Sequence, residues 1–204
     1  DELYENQIDR LRERQPRHGE LVDEEPIVAV HVIPVGSVSD SPEMIATDLP
    51  DPPNFRARST KSEGFGDFVL TAPNSELADG IFTDYVCLDA NGWIEAITTK
   101  LTIERKGRHG LVWFIDKEIV SLVKCVGEMY QTAGIYPPLY VYITVIDAAN
   151  YPIEKPQHVV GPDTIRPIND NMFQLKRVKI EDLDSNIALS LREPLYQLWN
   201  RVGW

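Results

Sequence analysis

The sequence predicts an α/β or α+β domain in which a mixed β-sheet is covered by helices. Two segments, PIVAVHVIPVG at 26–36 and LYVYITVI at 139–146, are apolar on both sides of an extended chain, as central strands are. Between them, Ile115, Ile119, Leu122, Val123, Val126 and Tyr130 recur at helical spacing, directly ahead of the second strand. A helix of that length feeding such a strand implies layered packing, with helices covering the sheet.

In the first strand, Val28, Val30 and Val32 fall on one side, and Ile27, Ala29, His31 and Ile33 on the other. His31 is the one imidazole in this apolar stretch. Its simplest role is a core residue with one ring nitrogen satisfied by a neighbour. The following residues, 36–66, carry Pro42, Pro50, Pro52, Pro53, Gly64 and Gly66 and read as a long irregular connection, with Arg56, Arg58 and Lys61 as its contact groups. FTDYVCLDA and WIEAITTKL flank Asn91-Gly92, a pair suited to a two-residue type I′ hairpin turn. That register sets Val86 opposite Ile97 and Leu88 opposite Glu95. Asp89, Asn91 and Glu95 lack the spacing of a calcium loop, and turn chemistry accounts for them.

The helix is expected from about Ile115 to Thr132, with Asp116 as N-cap, Gly134 closing it and Pro137-Pro138 preventing continuation. After the second strand come a Pro- and Asn-containing loop at 147–171, a short strand around MFQLKRVKI, and a helix in LREPLYQLWNRVG. Pro194 suits a first helical turn, and Leu195, Leu198, Trp199 and Val202 line one side. Trp199 reads as a packing anchor.

The 204 residues, 43% of them hydrophobic, fit one domain that buries roughly 70% of its unfolded surface. Residues 1–20 read as a charged helix and linker, and 21–204 as the compact domain. In DELYENQIDRLRERQ, the stripe Leu3, Tyr4, Ile8 and Leu11 is too narrow for a core of its own and wants a partner surface. The pattern is already under way at the first residue, without a methionine. A preceding domain of the same polypeptide, or another subunit, is the expected partner.

A formal charge of −12 argues against a duplex-coating protein, although local basic patches are compatible with it. Two clusters could touch phosphate: Lys100, Arg105, Lys106 and Arg108, and Lys176, Arg177 and Lys179. They would have to converge on one face. No apolar stretch or leader pattern points to a membrane, and Cys87 and Cys125 match no zinc or CxxC spacing, so a reduced cytoplasmic protein is expected.

Phosphate-binding glycine loops, HExxH and GxSxG are all absent from the sequence. His18, His31, His109 and His158 share no ligand spacing, and no metal or cofactor is expected. Cys125 sits beside Lys124, a neighbour that can lower a thiol pKa, though incidental exposure explains it. Asp147, after the second strand, is the best isolated catalytic residue. With His31 it could form a carboxylate–imidazole pair for hydrolysis or transfer, but no nucleophile or oxyanion device accompanies it.

The opening charged helix, PIVAVHVIPVG, DANGWIEAI, EIVSLVKCVGEMYQTAGI, PPLYVYITVIDA and LREPLYQLWNRVGW occur in one order. Together they resemble the region that follows the Schlafen AlbA domain in bacterial proteins carrying that domain. The resemblance covers nearly the whole chain and rests on packing segments. It implies an accessory domain for assembly or partner recognition, with any nucleotide or nucleic-acid chemistry residing in the preceding AlbA domain. A module contributing to nucleic-acid binding is the second expectation, and a His31–Asp147 enzyme the third.

Overall fold

Strand β2 (Ile27–Pro34) lies inside the sheet because both of its faces are apolar and both are covered. In the computed structural model, the described residues are 2–16, 19–21, 26–35, 49–56, 59–100, 102–105, 108–111, 114–153 and 167–201. Helix α1 (Glu2–Arg12) comes first, followed by β1 (Glu20–Leu21) and then β2. Next are β3 (Thr60–Phe65), β4 (Phe68–Pro73), α2 (Asn74–Asp79), β5 (Ile81–Phe82), β6 (Asp84–Asp89) and β7 (Ile94–Thr98). A small hairpin, β8 (Thr102–Arg105) and β9 (Arg108–Leu111), precedes α3 (Ile115–Ala133) and β10 (Leu139–Ile146). The chain closes with β11 (Met172–Gln174), β12 (Val178–Ile180), α4 (Ile187–Ser190) and α5 (Arg192–Arg201).

The main sheet runs β11-β10-β2-β7-β6-β4-β3, with β12 also on β10. All of its ladders are antiparallel. The fold is therefore a mixed helix and strand domain of the α+β kind, a single compact unit with helices around a sheet. Parallel pairing occurs between the two-residue strands β1 and β5.

Strand alternation divides the interior into two layers. Val28, Val30 and Val32 join Val86, Leu88, Ile94 and Ala96 in the layer covered by α3 and the C-terminal helices. Ile27 and Ala29 join Tyr85, Cys87 and Ile97 in the layer covered by α1. The α1 stripe thus meets its partner within this chain: Tyr4, Ile8 and Leu11 are buried in that second layer. This corrects the expectation that these three residues face a separate domain or subunit. An eleven-residue helix with a narrow apolar stripe gains its stability by docking, and β2 and β10 supply the surface that Tyr4 meets. Of Leu3, only the helical backbone is described.

Four local expectations are also corrected. Thr60–Phe65, assigned to irregular chain, is the edge strand β3 paired with β4. Its polar, half-exposed residues show no apolar alternation, as suits an edge that must resist further pairing. The segment read as one strand around MFQLKRVKI is two, each on β10. The N-cap of α3 is Phe114, without a side-chain cap bond, and Asp116 lies inside the first turn. Gly134 does close the helix, at φ 72°.

The fourth correction matters most for the site. Val86 faces Ala96 and Leu88 faces Ile94, one residue away from the expected register. The loop holds three residues rather than two. The Gly92 N–H donates to Asp89 O at 2.8 Å, and the Asp89 N–H to Trp93 O at 3.0 Å, with Gly92 left-handed at φ 79°. Asp89 Oδ1 accepts the N–H groups of Asn91 at 2.9 Å and Trp93 at 3.1 Å. The aspartate captures the turn as an Asx acceptor, producing a type I turn followed by a left-handed glycine.

Candidate functional site

The one-residue change in register places Glu95 opposite Cys87 on β6 and opposite His31 on β2, while His31 also faces Tyr142 on β10. Four strands therefore contribute to one row beneath α1. His31 Nε2 lies 3.2 Å from Glu95 Oε2, and the Tyr85 hydroxyl donates to Glu95 Oε1. An ionised carboxylate only accepts, so the imidazole proton is assigned to Nε2. His31 Nδ1 has no hydrogen-bond partner among the described residues. Both His31 and Glu95 are sealed from solvent, at 0% and 2% exposure.

Tyr4 forms the cover. Its ring stands edge-on to His31 with centroids 5.3 Å apart and stacks on Tyr142 at 4.2 Å. Its hydroxyl shares a 2.6 Å hydrogen bond with Thr144 Oγ1. Burial pushes the Tyr4 phenol up to about 12, with the Thr144 hydrogen bond acting in the opposite direction. The row is a closed polar seam in which His31 Nδ1 is left without a partner among the described residues, and the imidazole is sealed from solvent. The expectation of a core histidine with one ring nitrogen satisfied describes His31 as it stands.

Asp147 does not join it. It follows Tyr142, the residue opposite His31, by five positions, roughly 16 Å of strand. Its carboxylate instead takes the Arg14 guanidinium at 2.8 Å and the Asn171 amide at 3.0 Å. Asp147 fastens the end of α1 to the end of β10. The His31–Asp147 pair imagined for hydrolysis or transfer is therefore not assembled.

Among the described side chains, Lys100 of the first basic cluster does not meet Lys176, Arg177 and Lys179 on one face. Lys100 follows β7 near the Val28–Val145 end of the sheet, whereas Lys179 lies opposite Tyr140 near the other end. Lys100 pairs with Glu76 at 3.0 Å, Lys176 with Glu193 at 2.8 Å and Lys179 with Glu181 at 2.7 Å. Arg177 lies over the Tyr140 ring, 4.6 Å from its centroid. Lys106 lies outside the described residues, and only the backbones of Arg105 and Arg108 are described. Among the described residues, no group of three His, Cys, Asp or Glu side chains could hold a metal ion. The Cys125 thiol is pushed up by burial, aided by Glu128 and opposed by Lys124, the reverse of nucleophile activation.

The sequence reading missed the concave surface on the opposite side of the molecule. Lys117, Val120, Ser121 and Lys124 of α3 face Arg192, Leu195, Tyr196 and Trp199 of α5 across a groove of about 690 Å³. Each helix contributes positions i, i+3, i+4 and i+7, one face of two turns. The clue was present in the sequence as Trp199 beside Tyr196 and Arg192, but Trp199 was assigned to packing and the other two were given no role. In the structure Leu195 is buried, Trp199 half-buried and Tyr196 53% exposed. An exposed tyrosine beside a half-buried tryptophan is surface that packing leaves unfinished.

No protein-family model, curated protein or solved structure matches this chain. The reading of its function therefore rests on its own residues.

Proposed function

We propose that this chain is a non-catalytic accessory domain that supports assembly or partner recognition within a larger Schlafen AlbA-domain-like protein. The observation that carries the proposal is the α3–α5 groove, a two-walled surface with apolar depth and exposed aromatic and cationic rims. Of the two catalytic candidates, His31 is engaged by Glu95, and Asp147 by Arg14 and Asn171. The ordered packing segments quoted above supply the Schlafen AlbA resemblance. Among the described residues, no helix is long and apolar enough to cross a membrane. The free thiols of Cys87 and Cys125 support a cytoplasmic setting.

The test is hydrogen exchange, measured on residues 1–204 alone and on the native assembly purified through a tag. Covering the groove should slow exchange in peptides spanning Asp116–Lys124 and Ala188–Trp199. Unchanged exchange there, in an assembly that contains other domains or proteins, would overturn the proposal.

A further inference from the structure

Resting on that reading, we infer that the α3–α5 groove receives a short acidic amphipathic helix from a protein partner. The geometry is that of a helix-binding surface. Two walls present matching i, i+3, i+4 and i+7 faces, and the span from Lys117 to Lys124 is about 10 Å, close to two turns of a third helix. Val120 and Leu195 form the apolar depth, and Trp199 and Tyr196 offer aromatic area at one wall. Trp, Tyr and Arg are the residue types on which binding energy concentrates at interfaces.

Charge selects the partner. Lys117 and Lys124 rise from one wall and Arg192 from the other, with Asp116 at one end; Lys124 also lies 3.8 Å from Glu128 in an exposed i,i+4 pair, which holds it only weakly. The Arg192 guanidinium lies over the Tyr196 ring, 5.4 Å from its centroid, and so stays beside the groove. A cationic groove in a chain of net charge −12 is complementary to a segment that carries its carboxylates beside apolar anchors. A nucleic acid fits less well. Its phosphates would continue past about 10 Å of groove onto an acidic protein, and Val120 and Leu195 would have no counterpart.

The experiment uses residues 1–204 and three synthetic helical peptides: one with Leu and Phe at i, i+3/i+4 and i+7 flanked by Glu, its Lys-flanked counterpart, and a scrambled acidic control. Binding is followed by amide NMR shifts. The acidic helix should shift residues 117–124 and 192–199, bind at least about tenfold more tightly than the other two, and weaken as salt rises from about 0.05 to 0.5 M. The double variant Lys124→Glu/Arg192→Glu alters exposed positions, and its spectral dispersion verifies folding. It should lose the acidic helix by about tenfold or more and gain the Lys-flanked one.

Equal binding of all three peptides, or no binding to a folded protein, would overturn the inference. Displacement of the acidic helix by a single-stranded oligonucleotide at the same residues would assign the groove to nucleic acid and overturn it as well. Concentration-dependent shifts at these residues without peptide would make a second copy the occupant. In that case the acidic-partner inference fails while the assembly function stands. Exchange protection of the groove in the native assembly, with no peptide bound, likewise separates the two.

Discussion

Replacing Glu95 by alanine removes the acceptor that the His31 Nε2–H and the Tyr85 hydroxyl share. His31 would then have no partner on either ring nitrogen among the described residues, since Nδ1 already has none. Each buried donor deprived of its acceptor costs about 1–3 kcal/mol. Two donors lose theirs here, so the total is about 2–6 kcal/mol. For a chain of 204 residues, each kcal/mol lowers the melting temperature by about 2–4 °C, so a loss of about 4 kcal/mol, the middle of that range, should lower it by about 8–16 °C. Urea unfolding should show the same loss at an unchanged m-value.

The companion variant replaces all three groups by apolar ones, His31→Leu, Tyr85→Phe and Glu95→Leu. It removes the two donors together with their shared acceptor and should fall within about 1.5 kcal/mol of the parent. A loss under about 1 kcal/mol for Glu95→Ala would refute the reasoning, because the seam would then not contribute to holding the strands and α1 together. A triple variant as unstable as Glu95→Ala would refute it too, by showing that shape rather than hydrogen bonding is at stake.

Glu76 offers a pH-dependent test. Burial opposes its ionisation, but hydrogen bonds from the Thr83 side chain and backbone and from Lys100 outweigh it and lower its pKa below the ordinary 4.5. Its contribution to stability is therefore complete above the ordinary carboxylate value and is lost as pH falls through the lower folded value. Glu76→Gln should be destabilising at pH 7 and converge with the parent as urea melts are repeated toward pH 3; a constant gap would contradict the linkage. Gly92→Ala places a Cβ 3.3 Å from Ile135 Cδ1 at φ 79°, and should cost about 1–2 kcal/mol by thermal melting. Native protein should react slowly with a thiol reagent at Cys125 and not at Cys87, which is 1% exposed. Both should react rapidly in denaturant, and fast native labelling of Cys87 would mean that the α1 layer opens.

The central strands were legible in the sequence because side-chain alternation is a local property: Val28, Val30 and Val32 separate from Ile27, Ala29 and His31 wherever β2 is extended. Helix α3 was legible for the same reason, from its apolar spacing and Gly134. Strand β3 was not, because an exposed edge carries no buried face to write a pattern. The site was legible only in part. His31 could be recognised as a core imidazole, but its partner could not be named, since the Asp89 side chain captures the turn and shifts the partner of Cys87 to Glu95. With a period of two, one residue of slip decides which side chains share a face.

Composition and periodicity by themselves determined a core of ordinary domain size, the central strands, the long helix and the absence of the catalytic motifs sought. Only the tertiary structure decided that the α1 stripe is buried within its own domain, that Asp147 meets Arg14 rather than His31, and that Lys124 and Arg192 face each other across one groove. The physical reason is common to all three. Such meetings join residues distant in sequence, and they are set by strand order, loop length and helix docking, none of which is written at any single position.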